Sequence, residues 1–365
     1  MTALTPSRLT LARHRRGLTL VQLSAATGIS VRSISGYENG RARPNQATVG
    51  RLAAALDMPV GFLHASDVDT IPLDAISFRA PSKLTAGQRD AARAAGRIAL
   101  LLTDWIEQRF QLPPSDVPSL SRMDPETAAE VVRARWGLGV APLGNLVWLL
   151  EAHGVRVFSL ATDCAAVDAF SFCWEQRPYV LLNTAKSGER GRFDAAHELG
   201  HLVLHSDHRL PHGPDAEQDA NRFAAAFLMP RASVVAANLA GAASDRILLA
   251  KRTWRVAAIA LTYRLHELGL LTEWGYRTVC VDLSRRGYRT GEPGGIARET
   301  SQLLEKVLRH LRDAGTAPAD IARDLQITPA ELNRHVFGLV PTALDGGGTP
   351  GAASTRPRLT VVRGG

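Results

Sequence analysis

His197 and His201 stand four residues apart, with Glu198, Leu199 and Gly200 between them, so the run reads His-Glu-x-x-His. On a helix, residues four apart share a face, with about 5–6 Å between their Cβ atoms. Two imidazoles so placed can grip one Zn²⁺, whose bonds to His nitrogen are about 2.0–2.1 Å long. Glu198, one step round the helix, then stands beside the metal's open position. There it can take a proton from a water as that water attacks a carbonyl. The third ligand has to come from downstream, where residues 215–223 open a helix with Glu217 and Asn221 on one face. Glu217 completes a His₂Glu set, the ligand set of a catalytic rather than a structural zinc site. Asn221 can hydrogen-bond a ligand from behind. Asp219, on another side of that helix, is the alternative ligand. His205, His208 and His212 read as solvated loop histidines, His205 lying one further turn on. Tyr179, Tyr263 and His266 are candidates for the group that stabilises the oxyanion.

The elements around this run must position it. Leu143 to His153 reads as an apolar helix stopped at Gly154. Three β-rich runs follow, Val155 to Ser159, Ala169 to Trp174 and Tyr179 to Asn183, the last two joined by a hairpin loop over residues 175–178. In a zinc peptidase an edge strand beside the metal can take substrate backbone by strand addition, and Tyr179 to Asn183 is the candidate. Gly200, inside the metal helix, costs about 1 kcal/mol against Ala. Close approach by a neighbouring helix or by substrate would explain it. Upstream, Ala65 to Pro81 reads as a linker, and Leu84 to Phe110 as one helix with an apolar stripe from Ala91 to Trp105 that serves as core or dimer face. Downstream, Leu248 to Gly269 reads as a helix and Thr278 to Leu283 as a strand. Ile321 to Leu332 reads as a second, nearly neutral helix-turn-helix-like pair built for packing. Ala343 to Gly365 is Gly/Thr/Pro-rich and reads as a disordered tail.

Five short helices fit residues 1–65. Thr19 with Gln22 forms a capping box, Gly28 supplies the turn, Ser30 caps the next helix and Gly40 stops it. Residues 1–60 hold eight arginines against Glu38 and Asp57, a net +6 out of the whole chain's +8. That asymmetry points to an anionic partner, or else to a solvated basic face.

Leu18-Thr19, Gly28-Ile29-Ser30, Ile34, Tyr37-Glu38-Asn39-Gly40 and Leu52-Ala53 resemble the Cro/repressor-like (XRE) helix-turn-helix family over about fifty residues. The resemblance implies double-stranded DNA as partner. It places Val31, Arg32 and Ser35 in the major groove, Arg32 able to make a bidentate contact to guanine. Arg41 and Arg43 would hold phosphates. Where the family has Gln after the capping Thr, this chain has Leu20, so that contact is lost or passes to Gln22. The run from Phe193 to Leu202, then Glu217, Asn221, Phe223-Ala224-Ala225 and Phe227-Leu228-Met229-Pro230, resembles the ImmA/IrrE family of zinc metallo-endopeptidases. A wider similarity, from Ile76 to about Val340, is to members of that family fused to an XRE head. The resemblance implies that His197, His201 and Glu217 bind zinc, that Glu198 is the general base, and that the substrate is a repressor protein.

At 365 residues, 45% apolar and 21% charged, the chain has the size and composition of a soluble protein of two or three domains. No run of about 18 apolar residues is present to span a membrane, and no stretch resembles a signal peptide. Cys164, Cys173 and Cys280 form neither a disulfide framework nor a zinc knuckle, so a reducing cytoplasm is expected. The expected fold is α+β, mostly α. A five-helix Cro/repressor-like DNA-binding domain (1–65), a linker and helical arm (66–135), a zincin-like metallopeptidase domain with a small β-sheet (136–275), a helical region (276–341) and a tail (342–365) follow in order. The expected function is a DNA-binding regulator with a zinc endopeptidase body, possible as a homodimer. The alternatives are a non-proteolytic factor using the metal domain as sensor or dimer platform, and the regulator half of a toxin–antitoxin pair.

Overall fold

The structure is a computed structural model of the chain. It describes residues 3–72, 75–79, 84–160, 164, 166–205, 213–340 and 360–361, with backbone only at 77–79 and 360–361. The head comprises α1 (Pro6–Arg15), α2 (Leu20–Thr27), α3 (Val31–Glu38), α4 (Gln46–Ala55) and α5 (Val60–His64). Its local signals act as expected. The Thr19 hydroxyl accepts from Gln22 N while the Gln22 side chain accepts from Thr19 N, so two free amides at the start of α2 are satisfied. Gly28 ends α2 with φ +67°, a conformation that costs glycine least, and Ser30 caps α3. Leu9, Leu23, Ile34, Leu52 and Phe62 are fully buried and form the head's core.

The body follows as β1 (Ile76–Arg79), α6 (Ala86–Glu107), β2 (Phe110–Gln111), α7 (Pro125–Arg135), α8 (Leu146–Ala152), β3 (Arg156–Leu160), β4 (Ala169–Trp174), β5 (Arg177–Asn183) and α9 (Gly188–Leu204). Beyond α9 come α10 (Pro214–Leu228), α11 (Arg231–Ala236), α12 (Ser244–Trp254), α13 (Ala258–Glu267), α14 (Glu273–Arg285), α15 (Gln302–Asp313), α16 (Pro318–Asp324), α17 (Pro329–Val336) and β6 (Thr360–Val361). One sheet has the order β1-β4-β5-β3, with β3 and β5 parallel and the other pairs antiparallel. β2 and β6 pair separately. Side chains alternate across a strand, so neighbours on β4 face opposite ways. Phe170 and Phe172 meet α6 at Gly96, while Ser171 meets α9 at Glu198. The sheet is thus sandwiched between α6 and the helix that carries the His-Glu-x-x-His run. Among the described residues no helix is long and apolar enough to cross a membrane.

Several expectations are corrected. Thr278 to Leu283 is not a strand but part of α14, despite its β-branched residues. Thr272 caps the helix at Gly275 N, and Val279 and Leu283, four apart, are buried. Packing overrides propensity here, and α14 runs across residue 275, where a boundary was expected. The long helix 248–269 is two, α12 and α13, broken at Arg255, which ends α12 with φ +57°. The stretch 65–81 is not only linker, since it contains β1 and the buried Ile71. Tyr179 to Asn183 is not an edge strand, because β5 lies between β4 and β3. The hairpin turn is Glu175–Gln176, both at positive φ, and Arg177 already belongs to β5. His208, His212 and residues 341–359 and 362–365 of the tail lie outside the described residues.

The C-terminal helices tie the head to the body. The Glu331 carboxylate on α17 meets Arg15 Nε at 2.5 Å, Arg16 Nη1 and Arg334 Nη1 at 2.8 Å, and His335 Nε2 at 3.4 Å. The side chains of Arg15 and Glu331 are both 0% exposed. On α16, Asp324 accepts from Trp105 Nε1 of α6 and from Arg109 Nη2 just beyond that helix. The second helix-turn-helix-like pair is therefore a packing element, as its neutrality suggested.

Candidate metal centre

α9 starts at Ser187, whose hydroxyl accepts from Arg190 N, and runs under the sheet so that His197 and Glu198 are fully buried. α10 crosses it closely enough that a Cβ on Gly200 would stand 3.2 Å from Ala220 Cα and 3.1 Å from Phe223 Cδ1. Glycine at 200 is what lets the two helices approach and brings Glu217 over the histidine pair. Adding a methyl there would normally help a helix, but overpacking costs about 1–3 kcal/mol and here meets backbone. Gly200→Ala is expected to push α10 away and weaken divalent-metal binding at least about tenfold, read by competition with a chelator. Unchanged affinity would show that the close approach does not set Glu217.

His197, His201 and Glu217 offer ligand atoms within 4.8 Å of one another, the one such group among the described residues. The Nε2 atoms of the two histidines are 3.0 Å apart, and each faces a Glu217 oxygen, at 3.3 Å from His197 and 3.2 Å from His201. A tetrahedral ion with bonds of about 2.0–2.1 Å spaces its ligands by about 3.3 Å, so the donor set fits a small divalent cation. The outer nitrogens are also engaged. His197 Nδ1 lies 3.1 Å from Asn221 Oδ1, and His201 Nδ1 lies 3.3 Å from His205 Nδ1. Such contacts fix a ring's tautomer and aim its other nitrogen inward. Burial alone would raise the Glu217 carboxyl, but hydrogen bonds to the two imidazoles outweigh it and hold the group well below the usual carboxylate range. Asp219 is outside this group, and burial raises its carboxyl instead.

Glu198 is held from the sheet side. Ser171 Oγ on β4 donates to Glu198 Oε2 at 2.6 Å. Sequence reasoning missed Ser171 entirely, and it read His205 as a solvated loop residue. Of the three oxyanion candidates, Tyr179 is buried in the sheet, and burial pushes its hydroxyl up to about 12. His266 stacks on Tyr276 and bonds Leu271 O. Tyr263, 51% exposed, lines the same cleft as Glu217 and Asn221, a hollow of about 1210 Å³ between α9, α10, α13 and α14.

Comparison with known families falls on these same elements. Residues 150–266 match the family model described as IrrE N-terminal-like domain, a peptidase family, and residues 10–63 match the model described as Helix-turn-helix. The chain joins an XRE-type helix-turn-helix to an IrrE-like domain. No curated protein matches it. The IrrE-like domain spans β3 to α13 and so contains the whole histidine–glutamate group.

On the helix-turn-helix, Gln22, Val31, Arg32, Arg41 and Arg43 are exposed and Ser35 is half-buried. Gln22 is partly committed, since its side-chain oxygen accepts from Thr19 N. The arginine excess of residues 1–60 divides in two. Arg13 is paired with Glu38, Arg15 and Arg16 with Glu331, Arg8 donates to Ser66 O, and Arg51 to Thr27 O. Among the described residues, only the side chains of Arg32, Arg41 and Arg43 remain without an ion pair or hydrogen bond in this set of eight. The net charge thus overstated the nucleic-acid face, most of it being internal structure.

Proposed function

We propose that the protein is a cytoplasmic, DNA-binding transcriptional regulator whose IrrE-like domain is a zinc-dependent endopeptidase acting on a regulatory, repressor-type protein. The observation that carries this reading is the convergence of His197, His201 and Glu217, with Glu198 beside them. Zinc held by those three would supply Lewis acidity at an open position. The rest falls to the chain's own groups. Glu198 takes the proton of the attacking water and returns it to the leaving amine, Ser171 fixes the orientation of its carboxylate, and Asn221 and His205 hold the two imidazoles in place. The cleft lined by Tyr263 receives the polypeptide. The test is co-expression with candidate repressor-type regulators, comparing the unaltered chain with Glu198→Gln. A regulator cut only by the unaltered chain supports proteolysis. Regulation that persists unchanged in the variant supports a non-proteolytic platform, a reading favoured by the complete burial of Glu198.

At the head, α3 presents Arg32 to a guanine, with Val31 and Ser35 beside it and Gln22, Arg41 and Arg43 on phosphates. Arg32→Ala is expected to relax specificity at one base pair, costing about 1–3 kcal/mol there, in binding assays over a set of single-base operator variants. Equal tolerance of every base change before and after the substitution would remove Arg32 from that role.

A further inference from the structure

Strand addition to a peptidase needs a free edge beside the catalytic groups, and β5 does not offer one. The strand that touches Glu198 is β4, through Ser171. Its inner edge is paired with β5, and its outer edge is taken by β1, antiparallel, with Ser77 opposite Ser171. β1 belongs to neither family match, since it lies between residues 63 and 150. It is four residues long, which makes it a short and replaceable ladder. Pairing of this kind rests on main-chain hydrogen bonds, so another extended polypeptide can take the same place. The segment leading to β1 is attached to the head. Ser66 O accepts from Arg8 Nε, Ser7 Oγ bonds Asp67, and the buried Ile71 lies against α6 at Gly96.

We infer that the outer edge of β4 is the place where an extended segment of the protein substrate adds as an antiparallel strand, and that β1 is a resident occupant which the substrate must displace. This rests on the peptidase reading of the same site. The substrate class is an extended segment free of proline at the paired positions. Because β1 continues from the segment gripped by the head, a movement of the head on DNA would draw on the strand that covers the edge.

The test needs no turnover. In a strand alternate N–H groups face the neighbour, so prolines at two successive positions remove at least one ladder bond. The Ser77→Pro/Phe78→Pro chain is expected to bind a fluorescein-labelled peptide of residues 74–81 saturably, at least tenfold more tightly than the unaltered chain. Equal binding by both, or no binding by the variant, would make β1 merely a cap on a sheet edge and overturn the inference. Should the variant not fold, hydrogen exchange on the unaltered protein decides. Amides of β1 exchanging faster than those of the β4–β5 ladder support it, and exchange of the whole sheet as one unit overturns it. Cleavage that is lost in Glu198→Gln while the peptide fails to bind would separate this failure from that of the peptidase reading.

Discussion

Replacing Glu331 by Ala is expected to cost about 3–5 kcal/mol in equilibrium unfolding, because it leaves buried cations without their counter-charge. Arg15 is fully buried, and Arg16, Arg334 and His335 converge on the same carboxylate. The Arg15 and Glu331 side chains are both fully buried, so solvent is poorly placed to take over. The loss is expected to show as release of the head, with DNA affinity and body unfolding no longer moving together. Its pH dependence follows from the carboxyl's position. Burial would raise it, but His335 and the two arginines outweigh that and hold it far below the usual range. A carboxyl depressed on folding contributes stability that is complete above its unfolded value of about 4.3 and lost as pH falls through the folded one. The difference between the unaltered chain and the variant should therefore stay full above about pH 5 and shrink only in stronger acid. A deficit under about 1 kcal/mol would mean that the pair contributes no more than a surface ion pair.

The largest effect on activity is expected at Glu198. A general base contributes about 10²–10⁴-fold, or roughly 3–5 kcal/mol of barrier. Glu198→Gln keeps the shape and the hydrogen bond to Ser171 while removing the basic oxygen. Cleavage of a target regulator should fall by that factor, with metal content and melting temperature unchanged. A variant that cuts as fast as the unaltered chain would take the proton-transfer role away from Glu198.

What could be read from the chain was local. Thr19, Gln22, Gly28 and Ser30 act within a turn or two of themselves, so the head's helices were legible. His197, Glu198 and His201 share one helix, and Glu217 with Asn221 another, so each pair's common face followed from spacing. The crossing that unites them depends on Gly200 against Ala220, and it could only be guessed at. Ser171 and Ser77 gain their meaning from a sheet order that spacing does not reveal. Glu331 looked like one acid among many until Arg15 and Arg16 closed over it, and the same contact shows why the arginine count misled. α14 was misread because its run of Thr, Val, Cys and Val favours strand locally, while its burial against α13 does not. His205 was passed over because its value lies in the nitrogen of another histidine.

The central claim is that two imidazoles and one carboxylate from different helices hold one catalytic divalent ion. Metal analysis of the purified full-length protein tests it most directly, alongside Glu217→Ala. The expected result is one zinc per chain in the unaltered protein and substantial loss of it in the variant. A metal-free unaltered protein, or equal zinc in both, would contradict the account.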